Sequence, residues 1–312
     1  MARQSPMIVQ SVMPTPRPRR RGLLVAVLAG LVLLALCGNV PADGAGPLAV
    51  SLVSGSLEYK SNESLAEFQK YLESKYNAKC SRAFIAGDDE EHLPGLENLE
   101  TCDVMLLFTR RLRLSGDELE RVKSYCLSGK PIVGLRTASH GIQTWLELDA
   151  EVLGGNYQGH WRNDLETQVQ IVPDAKDHPL LEGVAPFVSA GSLYKNKGLA
   201  DDCRVLVRGT SPEGTEPIAW TRDYKGGRIF YTSLGDPRDF QQESFRRLLA
   251  NALFWAARRD VEPAKRSVQN HQGTKGNFLP LPTLRPLRSL RFKFAITKTR
   301  NAEIAEDAEW NR

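Results

Sequence analysis

Short runs of uninterrupted apolar residues alternate with stretches in which apolar side chains recur every three or four positions, and this alternation fills the middle of the chain. Residues 48–53, 103–108 and 132–136 read as strands covered on both faces. Between them lie two helical patterns. Leu65, Phe68, Leu72 and Tyr76 mark one inner face, with Ser64 and Glu67 in capping-box spacing. Leu119, Val122 and Cys126 mark a second, with Ser115 and Glu118 spaced alike and Gly129 at its end. In the second half, residues 218–220 and 228–234 flank Asp223-Tyr224-Lys225-Gly226-Gly227 as a hairpin, and Phe245, Leu248, Leu249, Ala252 and Trp255 stripe a closing helix. The pattern predicts one α/β domain over residues 47–260. Its core is a doubly wound, mostly parallel sheet flanked by helices, with an antiparallel hairpin in the second half.

Both ends of the chain break the pattern. Arg17, Arg19, Arg20 and Arg21 precede an apolar run over residues 23–37, and Val40-Pro41-Ala42 supplies the small residue that a leader peptidase needs. The run is about 15 residues long, against the roughly 20 that cross a bilayer. Residues 1–42 therefore read as a signal peptide, with an uncleaved anchor as the alternative, and export to the periplasm or the medium is expected. Residues 261–312 carry Pro280, Pro282 and Pro286 among scattered basic side chains and read as a largely disordered tail, with an amphipathic contact segment over 284–296.

Charge and cysteines narrow the function classes. The leader's five arginines and the tail's excess of five basic residues outweigh the formal +4, which leaves about −6 on residues 43–260. A domain of that sign does not suit nucleic acid, and none is expected as a partner. Beyond Cys37 in the leader remain Cys80, Cys102, Cys126 and Cys203, without C-x-x-C spacing. Isolated buried thiols are the simpler reading. If one bridge forms, Cys80 with Cys102 is the expected pair, each just before a predicted strand.

The chemistry centres on Pro131-Ile132-Val133-Gly134-Leu135-Arg136-Thr137-Ala138-Ser139-His140. An apolar strand that ends in a small-residue turn and leads into a second helical stretch is how α/β hydrolytic folds raise one side chain above the sheet. Here that side chain is Arg136, which stays protonated and cannot attack a carbonyl. It binds, polarises or orients instead.

Four segments together resemble a known family: Ser54-Gly55-Ser56-Leu57-Glu58-Tyr59, Val133 to His140, Gly154-Gly155-Asn156-Tyr157-Gln158-Gly159-His160, and Gly227-Arg228-Ile229-Phe230-Tyr231-Thr232-Ser233-Leu234-Gly235. In this order they look like the trehalose-utilisation, or ThuA-like, family, over roughly residues 47–258. The resemblance implies the class I glutamine amidotransferase-like fold, with a flavodoxin-like sheet, and a link to sugar metabolism. Departures qualify it. Arg136 stands where the amidotransferases carry their catalytic cysteine, so amide hydrolysis by thiolate is not expected. Asp236 stands where many members have a histidine, and Leu57 and Lys60 depart from a Gly-His-Glu-Tyr-His type of loop.

Ligands of open α/β sheets sit outside the carboxyl ends of the strands. That rule gathers Ser54, Gly55, Glu58 and Tyr59 with Arg136, His140 and Asp236, and brings in Tyr157 and His160 if the Gly154-Gly155 loop folds over the mouth. Arg136, Glu58, Tyr59, Ser54, Gly55, Tyr157 and Asp236 are the candidate ligand-binding residues, and His140 and His160 the candidate catalytic ones. Each has a plainer alternative: Arg136 as an ion-pair partner of Glu58 or Asp236, His140 as a structural histidine, Asp236 as a turn residue. Carboxylates and arginine suit vicinal hydroxyls while aromatic faces suit the C–H side of a ring, so a small-molecule carbohydrate is the expected partner. No cofactor and no metal are expected, because His140, His160 and a carboxylate lack local ligand spacing. Membrane contact is expected only through an uncleaved leader, and self-association stays open. Three readings follow: a sugar-processing enzyme, a non-catalytic carbohydrate-binding or scaffold module, and a surface interaction protein working through its basic tail.

Overall fold

The computed structural model describes residues 46–264. They form nine strands: β1 (Leu48–Gly55), β2 (Ala78–Phe84), β3 (Val104–Thr109), β4 (Ile132–Leu135), β5 (Thr167–Ile171), β6 (Phe187–Ser189), β7 (Arg204–Ser211), β8 (Gly214–Tyr224) and β9 (Gly227–Thr232). Helices α1 (Ser61–Lys75), α2 (Gly116–Leu127) and α3 (Glu243–Ala256) pack on them. One sheet joins the strands in the order β2-β1-β3-β4-β9-β8-β7-β5-β6. The first five in that order run parallel, and the remainder continue antiparallel from β9.

Strand periodicity decides which side chain enters which layer. Val50 and Leu52 of β1, with Leu106 and Phe108 of β3, face Leu65, Phe68 and Leu72 of α1 and Leu248 and Leu249 of α3. Val53, Met105 and Leu107 face the other way, against Val122, Tyr125 and Cys126 of α2 and against Trp145, Leu148 and Val152. Every residue of β3 and β4 is buried, as strands covered by helices on both faces must be. The hairpin closes at Lys225-Gly226, both with positive φ, the backbone of a two-residue turn matched to strand twist.

Several sequence expectations need correction. Helix α1 begins at Ser61, so Ser64 lies inside it and forms no capping box. Ser115 does precede α2 but makes no side-chain cap, and Glu118 accepts the backbone N–H of Leu93 rather than reaching back to close a box. The helical stretch after Arg136 is only a 3-10 segment, Arg136–His140. The antiparallel half is larger than one hairpin, since β5, β6 and β7 extend it. All four cysteines among the described residues are free thiols. Cys80 lies on β2, and Cys102 precedes β3, on the far side of β1. Two strand spacings of about 4.8 Å separate them, beyond the roughly 7 Å limit for a bridge. The leader over 1–42 and all but the first residues of the 261–312 tail, with its 284–296 segment, lie outside the described residues.

Candidate functional site

Strand β4 delivers Arg136 to the carboxyl edge of the sheet with φ of 44°, a left-handed backbone that a branched-off side chain tolerates only when its surroundings hold it. They do. The Tyr231 hydroxyl donates to the Arg136 carbonyl at 2.5 Å. The guanidinium is sandwiched between the rings of Tyr59 and Tyr194, 4.5 and 4.7 Å from their centroids. It donates to the Ser233 carbonyl at 2.8 Å, the Ser192 hydroxyl at 3.1 Å and the Tyr59 hydroxyl at 3.2 Å. The elbow is thus present, with a buried cation at its tip.

The ion-pair alternative for Arg136 does not hold. Glu58 pairs with Arg110 at 2.6 Å, and Asp236 pairs with Arg238 at 2.8 Å. Burial alone would raise the Asp236 carboxyl, but Arg238 holds it below the usual carboxylate range. The buried carboxylate nearest in effect to Arg136 is Asp239, whose Oδ2 accepts from Ser189 Oγ and from the N–H groups of Gly235 and Asp236. Asp239 thereby ties down the turn after β9, and its desolvation raises its pKa.

The Gly-rich loop over 154–160 folds across these strand ends. Asp149 starts it: Oδ2 accepts the N–H of Tyr157 at 2.9 Å, and its carbonyl accepts that of Gly155. Backbone bonds from Gln158 to Lys195, from Lys195 to Gly159 and from Trp161 to Leu193 then stitch the loop to the 193–195 segment. Tyr157 consequently stacks on His140 with centroids 4.2 Å apart, and Tyr194 touches both Tyr157 and His160. His140 Nδ1 lies 3.1 Å from Ser139 Oγ, and His160 Nδ1 lies 2.7 Å from the Trp161 carbonyl.

Electrostatics fixes the charge state of His140. Burial, followed by Arg110, Arg136, Arg111 and His160, pushes His140 down to about 3. At neutral pH its imidazole is uncharged and a poor proton acceptor, suited to hydrogen bonding and stacking.

The structure therefore brings Arg136, Tyr59, His140, Tyr157 and His160 into one cluster. Glu58 stands beside it through Arg110. Ser54 and Gly55 are placed differently. The Ser54 hydroxyl is occupied by Ser61 and Asn62, and a side chain at Gly55 would meet Leu112 at 2.8 Å, so both shape the turn after β1. Asp236 is held at the rim by Arg238. Sequence reasoning missed Tyr194, Ser192, Tyr231 and Asp149. Tyr231 stood in a quoted segment with no role assigned to it, Tyr194 sits in irregular chain, and Asp149 lies in the short π-helical turn Leu148–Leu153, too brief to show a period. Among the described residues no three His, Cys, Asp or Glu side chains come together as a metal site.

Comparison with known proteins gives a consistent answer. The model of the family described as trehalose utilisation, ThuA, matches residues 50–256. A putative ThuA-like protein from Bacteroides uniformis is 18% identical, with a TM-score of 0.52 over 70% of this chain and 95% of that one. Another, from Parabacteroides merdae, is 19% identical, with a TM-score of 0.52 over 68% of this chain and 90% of that one. At these identities the likeness is one of fold. No curated protein matches the chain significantly.

Proposed function

The chain belongs to the trehalose-utilisation (ThuA) family, and from that membership and the strand-end cluster we propose that it serves carbohydrate utilisation by binding a sugar at the carboxyl edge of the sheet. The observation that carries the reading is the loop over 154–160, which lays Tyr157 against His140 and Tyr194 beside the Arg136 elbow. Aromatic faces suit the C–H side of a sugar ring, and the imidazoles and hydroxyls around them suit its oxygens. The order β2-β1-β3-β4 in the parallel half supports a flavodoxin-like sheet, whose ligands lie at this edge. Export under the leader read in the sequence belongs to the same proposal.

If the site performs chemistry, His160 is the residue we assign to proton transfer, since His140 is held neutral. That neutral His140 also favours a second reading, a carbohydrate-binding module without turnover. Incubating the full chain with trehalose and other disaccharides, with product analysis, separates the two. Conversion abolished by His160→Ala and retained by His140→Ala supports the enzyme. Saturable binding with no product supports the module, and the absence of both binding and conversion refutes the sugar site.

A further inference from the structure

The turn between β1 and α1 has two sides. Tyr59 turns toward Arg136, whereas Ser56, Leu57, Lys60, Ser61, Asn62 and Glu63 line a separate cleft closed by Ile85 and Gly87 after β2. Its volume is about 220 Å³, below the roughly 300 Å³ at which drug-sized ligands are accommodated. It is polar and small.

The amino end of α1 opens into this cleft without a cap. Lys60 occupies the N-cap position with φ of 45° and gives no side-chain acceptor. The Ser61 N–H goes to the Ser56 carbonyl and the Ser64 N–H to the Lys60 carbonyl, which leaves the N–H groups of Asn62 and Glu63 without intrahelical acceptors. The Ser54, Ser61 and Asn62 side chains are spent on one another, on the Ser56 N–H and on the Ile85 carbonyl. Ser56 is different. The residue is 1% exposed, its backbone is fully engaged, and its hydroxyl has no partner among the described residues.

An ammonium group at the positive end of a helix dipole, on a strained backbone, is unfavourable by itself. Lys60 is exposed and has no ion pair among the described residues. An anion in the cleft would reconcile every one of these features, because it would accept from the two helix N–H groups and the Ser56 hydroxyl and pair with Lys60. We propose that this cleft is an oxyanion site for a phosphate group, built from Ser56, Lys60 and the first turn of α1, next to the strand-end cluster but independent of a sugar bound there. Glu63 also lines it, exposed, and opposes the anion; its carboxylate sets the affinity from the rim.

The test is calorimetric titration of the full chain with inorganic phosphate and, in parallel, glucose 6-phosphate, against chloride at equal ionic strength. Saturable binding is expected, weakened about tenfold or more in Lys60→Gln and several-fold in Ser56→Ala, and strengthened in Glu63→Gln. Lys60 and Glu63 are exposed, so those two variants keep the test intact if Ser56→Ala does not fold. Tighter binding of the sugar phosphate identifies a phosphomonoester as the ligand, and equal binding identifies the free anion. Absence of saturable binding by either probe, or affinities unchanged in Lys60→Gln, overturns the proposal.

Discussion

Arg136 is as much a structural hub as a ligand group. Its side chain joins the turn after β1 through Tyr59, the 192–194 segment through Ser192 and Tyr194, and the residue after β9 through the Ser233 carbonyl. Truncation would leave a cavity and orphan the buried Ser192 hydroxyl and Ser233 carbonyl and the half-buried Tyr59 hydroxyl. Arg136→Ala is therefore expected to destabilise the protein by about 3–5 kcal/mol in urea unfolding, and a loss below 1 kcal/mol would contradict its role as a hub. For the same reason Arg136→Ala is a poor probe of ligand binding, and Tyr157 is a better one. Asp149 offers a second residue-scale test. Desolvation raises its pKa from 3.8 to about 6, opposed by the hydrogen bond from Tyr157. Between those values the native state holds a proton that the unfolded state has lost, so Asp149 subtracts stability as pH rises through that window. Asp149→Asn keeps an acceptor for Tyr157 and removes the titration. Its stability relative to wild type should rise between pH 4 and pH 7 by up to about 3 kcal/mol, read from urea midpoints. A pH-independent difference would refute the assignment.

At the scale of elements, the loop over 154–160 decides whether there is a site at all. Gly155 lets it pass Asp149, since a Cβ there would come within 2.0 Å of the Asp149 carboxylate. Gly155→Ala should therefore displace the loop, cost about 1–3 kcal/mol and open the segment to limited proteolysis. Unchanged cleavage and stability would mean that the loop is not clamped as described. The elements themselves differed in legibility. β3 and β4, the hairpin over β8 and β9, and the stripe of α3 stood out because their periodicity answers to a core on both sides of the sheet. β5 alternates over only five residues and β6 spans three, too short for a pattern to declare itself. The capping boxes failed because Ser64 and Glu118 found other work: Ser64 lies within the helix, and Glu118 bonds Leu93. The candidate site was legible where a strand end fixed it, at Arg136 and Tyr59, and through the loop carrying Tyr157 and His160. Tyr194 and Asp149 act through loop packing between distant segments, which no local spacing announces.

For the described domain as a whole, one continuous sheet carries two kinds of strand. The parallel half, covered by helices on both faces, fixes the elbow, and the antiparallel half extends the sheet away from β9. The chain between β4 and β5 supplies the loop that crosses the strand ends, and the chain between β6 and β7 supplies Ser192 and Tyr194. Every group of the cluster thus comes from the carboxyl edge of a strand or a loop tied to it, where an open α/β sheet leaves its crevice. The most direct measurement is thermal unfolding of the full chain, wild type and Tyr157→Ala, with trehalose, other disaccharides and their keto-oxidised forms at millimolar concentration. A sugar at a hundred times its dissociation constant adds about 2.7 kcal/mol of stability, a readily measured shift. One class of sugar should raise the transition temperature of the wild type and leave that of Tyr157→Ala unmoved. No shift with any sugar, or equal shifts in both proteins, would contradict a sugar site at the strand ends.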